Sequence, residues 1–192
     1  MDFFDSAYRG TPPWDIGRPQ KEFVELVRRG ELTGSVLDIG CGTGENALFF
    51  AGEGHEVWGI DSTPLAIQKA MEKARGRGLR VHFLVLNALD LSSLNRKFDT
   101  ATDSGLFHTL SDEDRPVFVD NLAAILSPGG TYFMLCFSDQ EPCGYGPRRI
   151  TEREIRNSFR DGWSVNYIRP AIFESHTRKN GSRAYLSSIS KK

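Results

Sequence analysis

The chain has 192 residues, 39% of them hydrophobic and 26% charged, and its 24 Lys and Arg against 25 Asp and Glu give a net charge of −1. This length suits one domain with a sizeable core, and the lack of a basic excess argues against a protein that binds nucleic acid through many phosphates. Three scattered cysteines without CxxC spacing argue against a disulfide framework or a cysteine metal site.

The N-terminal sequence and the apolar runs bear on location. Residues 1–5 lack the basic and apolar regions of a signal peptide, and runs such as 132–137 fall far short of the roughly 20 residues that cross a bilayer. We therefore expect a cytoplasmic protein that needs neither a membrane nor a metal.

Helical and strand patterns alternate from about residue 20 to residue 137. The predicted elements are, in chain order, a helix over 21–29, strand one over 35–39, a helix over 46–53, strand two over 56–60, a helix from 64 to about 75, strand three over 80–86, strand four over 100–103, a helix that opens at 111–114 and stops at 127–130, and strand five over 131–137. Such alternation predicts a parallel sheet with right-handed crossovers.

The pattern changes after residue 137. The expected elements there are a loop over 138–149, a short helix from 151 to 159, and two strands over 165–172 and 184–190 joined by a turn near Asn180-Gly181. Thr151 and Glu154 fit the capping box of the helix. The paired strands would make the sheet mixed, so we expect an α/β fold with a C-terminal antiparallel pair.

A glycine-rich turn, Asp38-Ile39-Gly40-Cys41-Gly42-Thr43-Gly44, joins strand one to the next helix. Glycines let the backbone approach a ligand where a Cβ would collide, and the helix offers free N–H groups. Asp61, at the end of strand two, can accept both hydroxyls of a ribose, with a helix cap as its alternative role. The set predicts an adenosine ligand. It differs from the dinucleotide fingerprint, because Glu45 replaces the third glycine.

With Asn87-Ala88, Asp103 and Pro128-Gly129-Gly130 following in order, the chain resembles the class I methyltransferases over almost its whole length. The resemblance implies a Rossmann-like fold with a mostly parallel seven-stranded sheet and helices on both faces. It also implies S-adenosylmethionine (SAM) as methyl donor and S-adenosylhomocysteine as product. The segment 13–19, Pro-Trp-Asp-Ile-Gly-Arg-Pro, is similar to the PWDxGxP element of thiol, halide and thiopurine methyltransferases.

The resemblance also implies the cofactor contacts. The glycine turn and Asp38 face the methionine part, Asp61 holds the ribose, and Asn87, where the family usually has an acid, faces the adenine amino group. The full expected set is Trp14, Asp38, Gly40, Cys41, Gly42, Thr43, Asn46, Asp61, Ser62, Thr63, Asn87, Ala88, Leu89, Asp103 and Ser104. Cys41 is expected to fill space rather than act as a nucleophile.

Methyl transfer is an in-line displacement, so the protein mainly aligns the reactants, and a base is needed only where a proton must leave the acceptor. His108, just after strand four, is the candidate general base, with a polar loop histidine as the alternative. The expected acceptor-binding residues are Tyr8, Trp14, Phe107, His108, Tyr145, Arg148 and Arg149. The two arginines suit an anionic substrate, although a solvated face or an RNA site would also explain them. Core packing is the alternative for Phe107.

We therefore expect methyl transfer to sulfur or oxygen of a small molecule by one domain over 1–192, acting as a monomer or weak homodimer. Its parts are an N-terminal cap over 1–33, a SAM-binding core over 34–137 and a substrate side over 138–192. Two alternatives remain at this stage: an RNA or protein methyltransferase, and a non-catalytic SAM-binding protein.

Overall fold

The computed structural model describes residues 3–192, and the first two residues of the expected N-terminal cap lie outside this range. Its seven strands are β1 (Val36–Ile39), β2 (Val57–Asp61), β3 (His82–Val85), β4 (Phe98–Ser104), β5 (Leu126–Phe137), β6 (Trp163–Ser175) and β7 (Arg178–Lys191). They form one sheet in the order β3-β2-β1-β4-β5-β7-β6. Strands β1 to β5 are parallel, and β7 runs antiparallel to both β5 and β6. The predicted α/β fold with a C-terminal antiparallel pair is confirmed.

Six α-helices accompany the sheet in the described range. They are α1 (Phe3–Tyr8), α2 (Lys21–Arg28), α3 (Glu45–Gly52), α4 (Pro64–Arg77), α5 (Asp114–Ile125) and α6 (Glu152–Ser158), with 3₁₀ turns at Ala88–Leu94 and Phe107–Thr109. The capping box of α6 is confirmed, because Thr151 Oγ1 accepts the Glu154 N–H while the Glu154 carboxylate accepts the Thr151 N–H. None of these helices combines the length and apolarity needed to cross a bilayer.

Alternation along the strands divides the core between the two faces of the sheet. Val36 of β1 packs with α2, α3 and α4 in one cluster, whereas the next residue, Leu37, packs with α5 and α6 in the other. Successive side chains of a strand point to opposite faces, so a fully buried strand such as β1 requires helices on both faces of the sheet. The prediction of helices on both faces is confirmed.

The predicted turn near Asn180-Gly181 is wrong. The chain turns at His176-Thr177, and Gly181 lies inside β7 with φ +64°. Between the pairs Phe173–Ser182 and Ser175–Arg178, three residues of β7 face one residue of β6, so the glycine serves a bulge. A Cβ on Gly181 would lie 2.7 Å from the Phe173 carbonyl oxygen.

Strand β5 begins before the segment 127–130 that was expected to precede it. Leu126 pairs with Phe98 and Thr131 pairs with Thr100, so the four residues between them bulge out of the ladder. The helix α1 was not predicted from the sequence, since its six residues are too few for a periodic pattern to emerge.

Two glycines of one helix give a matched test of the turn geometry. Gly44, the N-cap of α3, has φ +84°, and a Cβ there would lie 2.8 Å from Phe83 Cζ and 3.0 Å from Ala70 Cβ. Gly44→Ala should therefore lower the free energy of unfolding by about 2–4 kcal/mol. Gly52 lies at an exposed site with open space, so Gly52→Ala should leave the free energy of unfolding unchanged or raise it by up to about 1 kcal/mol. Denaturant unfolding of both variants is the measurement, and equal stabilities would contradict the expectation.

Candidate functional site

A cavity of about 950 Å³ lies at the carboxyl edge of the sheet. The pairing of β1 with both β2 and β4 places Ile39, Ile60 and Asp103 side by side, so the residues that follow them meet at one edge. The strand order reverses between β1 and β4, and ligands of open α/β sheets bind at such switch points.

Most of the expected cofactor residues line this cavity. They are Trp14, Gly40, Cys41, Gly42, Thr43, Asn46, Asp61, Ser62, Asn87, Ala88, Leu89 and Ser104. Asp38, Thr63 and Asp103 lie beneath its surface, each almost fully buried.

Asp61 holds the glycine turn. Its Oδ2 accepts the N–H of Gly42 at 2.9 Å, and its Oδ1 accepts the N–H of Thr63 at 2.8 Å. Asp61 does not cap α4, because the N-cap of that helix is Thr63; the carboxylate instead accepts the N–H of this N-cap residue. A carboxylate has about four acceptor positions and these two bonds use two, so the others remain free for a ligand.

Side chains from other parts of the chain pack closely over the glycines of the turn. Gly40 and Gly42 both have positive φ, and a Cβ on Gly42 would lie 2.6 Å from the Tyr8 hydroxyl. Between them, burial and the charges of Asp38 and Asp61 raise the pKa of the Cys41 thiol well above its ordinary value. The thiol is thus protonated, which agrees with a space-filling role.

Two buried carboxyl groups support the turn from below. Asp38 Oδ1 accepts the Thr102 hydroxyl at 2.8 Å, while its Oδ2 has no hydrogen-bond partner among the described residues. Asp103 accepts the N–H groups of Leu106 and Phe107 and the hydroxyl of Tyr132. Burial raises the pKa of Asp38 to about 7 and that of Asp103 to about 6.

Asn87 shapes the expected adenine end. Its Oδ1 accepts the N–H of Leu89 at 2.9 Å and starts the 3₁₀ turn over Ala88–Leu94. The amide oxygen that was expected to meet the adenine amino group therefore already holds one donor and retains a second lone pair.

The N-terminal segment is fixed over the glycine turn. The indole N–H of Trp14 donates to the Tyr8 hydroxyl at 3.0 Å, and Lys69 of α4 donates to the carbonyl of Tyr8. The Thr43 hydroxyl donates to Asp15 at 2.9 Å. Phe3 and Phe4 pack around the Trp14 ring, so aromatic side chains form one wall of the cavity.

His108 lines the far end of the cavity, but its geometry argues against a general base. Its Nδ1 lies 3.0 Å from the backbone nitrogen of Phe137 and accepts that N–H, which places the proton of the neutral ring on Nε2. Burial, with the charges of Arg149 and Arg115 adding, lowers the pKa of His108 to about 3. A neutral ring in this tautomer donates from Nε2 and has no lone pair there to receive a proton.

Only some of the other expected acceptor residues line the cavity. Tyr8 and Arg148 line the cavity, and Arg148 forms ion pairs with Asp112 and Glu154. Phe107 is fully buried and packs edge-on against Phe118, so core packing is its role in place of the expected acceptor wall. The cause is Asp103, which accepts the Phe107 N–H and turns the chain inward.

Tyr145 and Arg149 organise the loop after β5 and lie behind the cavity. Arg149 stacks on Phe137 and Tyr145, with its guanidinium carbon 5.2 and 4.8 Å from the ring centroids. It donates to the carbonyls of Glu141, Pro142 and Pro147. Four aromatic residues that line the cavity were missed from the sequence, namely Phe3, Phe4, Phe137 and Phe173. Phe3 and Phe4 belong to the short helix α1, which was not predicted. Phe137 and Phe173 lie in strands, where an apolar residue does not indicate whether it faces the core or a ligand cavity.

The described residues contain no group of three or more His, Cys, Asp or Glu arranged to hold a metal ion. Polar contacts at the cavity come instead from the backbone of the glycine turn and from single side chains such as Asp61.

Comparisons with known proteins bear on this geometry. Residues 36–130 match the family model described as a methyltransferase domain. The chain is 37% identical over 182 residues to 2-heptyl-1-hydroxyquinolin-4(1H)-one methyltransferase of Mycobacteroides abscessus, covering 89% of this chain and 80% of that protein. It is 29% identical over 148 residues to probable thiol methyltransferase 2 of Arabidopsis thaliana, covering 76% and 65%.

Among solved structures, one described as "Conversion of a Disulfide Bond into a Thioacetal Group during Echinomycin Biosynthesis" superposes with a TM-score of 0.89. It is 33% identical, and the match covers 98% of this chain and 92% of that one. The chain belongs to the class I SAM-dependent methyltransferases. The methyltransferase therefore uses SAM as methyl donor and releases S-adenosylhomocysteine.

The residues of the cavity fit this cofactor. The left-handed glycines leave a cradle without side chains at the end of β1, and Asp61 offers carboxylate lone pairs beside it. The methionine part carries an ammonium group, whose charge complements the buried, unpartnered Asp38 Oδ2 beneath the turn.

The raised pKa values make the ligand-free methyltransferase sensitive to pH. An Asp side chain in an unfolded chain has a pKa of about 3.9, so the folded state retains protons that the unfolded state releases as pH rises. The stability due to Asp38 is therefore present below about pH 4 and lost as pH rises through about 7. Between pH 5 and 8 the wild type should lose about 2–3 kcal/mol more than Asp38→Asn. Denaturant unfolding at both pH values measures this difference, and parallel pH profiles would refute it.

Proposed function

We propose that this methyltransferase transfers the methyl group of SAM to a sulfur or oxygen atom of a small, aromatic acceptor. The observation that carries the proposal is the continuity of the cavity, which runs from the glycine turn to a pocket walled by Trp14, Phe137 and Phe173. Aromatic rings bind other rings through edge and offset contacts, so this pocket favours a flat, largely apolar acceptor.

The cofactor roles follow from the positions of the lining residues. Asp61 binds the ribose hydroxyls, the backbone of Gly40 and Gly42 meets the methionine part, and Asn87 with Ala88 faces the adenine. Asp38, Thr63 and Asp103 act from below by holding the turn and the strand ends. Trp14 closes the cavity over the cofactor.

We further propose that three successive parts of the chain have different roles in the site. Residues 1–33 cap the site, residues 34–137 bind SAM, and residues 138–192 supply the acceptor side within one domain. Support comes from Lys69 and Asp15, which tie the N-terminal segment to α4 and to the glycine turn. Gly146 and Pro147 bring the loop after β5 to the cavity.

The relatives support sulfur or oxygen as the acceptor atom. The names of two relatives specify a hydroxyquinolone in one case and a thiol in the other, and the related structure concerns a disulfide and a thioacetal. The in-line displacement needs alignment and exclusion of water more than a protein nucleophile, which suits a cavity with apolar walls.

The open acceptor pocket also bears on the alternatives. A non-catalytic SAM-binding protein should fill this pocket with side chains, whereas here the cavity extends past Gly105 to Phe173. A net charge of −1 gives little support to an RNA substrate. We propose a monomer or weak homodimer that works without nucleic acid.

Cofactor binding tests the role of Asp61. Asp61→Ala removes both acceptor oxygens and should weaken S-adenosylhomocysteine binding by about 1–3 kcal/mol, whereas Asp61→Asn, which keeps one oxygen for the Gly42 N–H, should weaken it less. Calorimetry on the three proteins gives these values. Wild-type affinity in Asp61→Ala would remove the carboxylate from the proposed site.

The acceptor class is tested by product formation. Aromatic thiols and phenols should gain a methyl group, detected by mass spectrometry, in preference to RNA or protein substrates. Phe173→Leu trims one wall and should raise KM for an aromatic acceptor about 2- to 10-fold, because an aromatic pair contributes about 0.5–1.5 kcal/mol. Val117→Ala, an exposed position on α5, is the control. Methylation of RNA or protein alone would overturn the proposal.

A further inference from the structure

His108 offers a hydrogen-bond donor to the acceptor end of the cavity. Its Nδ1 is occupied by the Phe137 N–H, while its Nε2 forms no hydrogen bond with any residue of the described chain. The ring is fixed between Phe137 and Phe173, at centroid distances of 4.9 and 6.0 Å. The ring is therefore held in one orientation before any ligand binds.

Gly105 keeps this donor uncovered. It has φ +85°, and a Cβ there would lie 3.3 Å from His108 Nε2 and 2.9 Å from Phe173 Cε2. Any other residue would place a side chain against the donor and the aromatic wall. The glycine thus leaves room for a ligand atom to reach the N–H.

The charges that face His108 are positive. Arg149, from the loop after β5, donates to backbone carbonyls and forms no ion pair with a carboxylate within residues 3–192. Arg115, from α5, lies 3.4 Å from Glu154 and 3.7 Å from Asp112, so its charge is partly balanced. Burial is the main cause of the lowered pKa of His108, and the charges of both arginines lower it further.

Each carboxylate that lines the cavity already accepts at least one donor of the protein. Asp61 holds two backbone N–H groups, and Asp15 accepts the Thr43 hydroxyl. Glu45 pairs with Lys73 and Arg77 of α4, while Asp114 accepts the Ser111 hydroxyl. At His108, the acceptor end therefore presents a donor where a general base would need a free lone pair.

We propose that the acceptor binds as an anion, and that its charged sulfur or oxygen, or an atom conjugated with it, accepts a hydrogen bond from His108 Nε2. The substrate class is then the acidic aromatic thiols and hydroxy compounds that ionise near neutral pH. This inference rests on the function proposed above.

The chemistry balances without a base. The acceptor proton goes to solvent before binding, and a lone pair of the anion forms the new bond to the methyl carbon. The bond between that carbon and the SAM sulfur breaks with its electrons going to sulfur. A cation and an anion become two neutral products, and an apolar, water-poor cavity favours this loss of charge.

The pH profile of kcat/KM is the first test. Two acceptors of similar size and different acidity, 4-nitrothiophenol and 4-methylthiophenol, or the matching phenols, are compared with SAM in excess. For each acceptor, kcat/KM should rise with pH and level off above that compound's own pKa in solution. A rise at one common pH for both acceptors would identify a base on the enzyme and overturn the inference.

The second test reads the ionisation state directly. The anion of 4-nitrothiophenol absorbs visible light and its thiol does not, so a spectrum taken with S-adenosylhomocysteine present reports the bound form. Its apparent pKa should be lower when bound than in solution. A bound neutral thiol would overturn the inference.

Variants of His108 separate a donor from a base. His108→Phe should weaken binding of the anion about 10- to 100-fold, the loss of one hydrogen bond to a charged group. His108→Gln retains an N–H donor and should recover most of this affinity, whereas neither variant could act as a base. Equal losses in both variants, or none in either, would refute the donor role.

These experiments distinguish a failure of the proposed function from a failure of the anionic-acceptor inference. S-adenosylhomocysteine affinity in each variant reports whether the fold and cofactor site are intact. If no thiol or phenol is methylated by the wild type, the proposed function itself fails. If methylation occurs but the pH profile follows an enzyme group, only the anionic acceptor is excluded.

Discussion

One carboxylate joins the two strand ends on which the site depends. Asp61 is the last residue of β2, and it accepts the N–H of Gly42 after β1 and the N–H of Thr63 before α4. Parallel strands share no tight turn, so something other than chain connectivity must hold their ends in register at the ligand edge. The carboxylate does this for the backbone that approaches the cofactor. Since Asp61 also lines the cavity, the carboxylate that holds the glycine turn is the same one that faces the ligand.

The two carboxyl groups beneath the glycine turn, those of Asp38 and Asp103, are unfavourable for stability. Asp38 and Asp103 are almost fully buried, and burial of an ionised carboxylate is unfavourable unless donors surround it. Asp103 has three donors and shapes the chain after β4 through them. Asp38 keeps one oxygen without a partner in the described structure. An apolar residue at this position would avoid that cost, whereas the carboxyl group of Asp38 supports the strand end beneath the glycine turn through Thr102.

Much of this site could be predicted from the sequence, and the features that could not be predicted depend on contacts between residues far apart in the chain. The glycine turn and Asp61 are predictable because φ > 0 and strand-end placement each require particular residue types. The Asn180-Gly181 signal failed because a bulge and a hairpin turn ask for the same left-handed glycine, and only pairing with β6 distinguishes them. Phe107 was misplaced because the hydrogen bond that turns it inward comes from Asp103, a contact that no periodic pattern encodes.

The role of His108 shows why a residue type and its location are insufficient to assign chemistry. An imidazole beside an acceptor can be a base or a donor, and its other nitrogen decides between them. Here Phe137, 29 positions away in the sequence, supplies the backbone N–H that occupies Nδ1. The antiparallel strand β7 holds β5, and with it that N–H, in place. The C-terminal hairpin therefore does more than complete the sheet: it contributes Phe173 to the cavity wall, and it steadies the strand that sets which proton the ring presents. A base at this position would require a different partner for Nδ1, not merely a different pH.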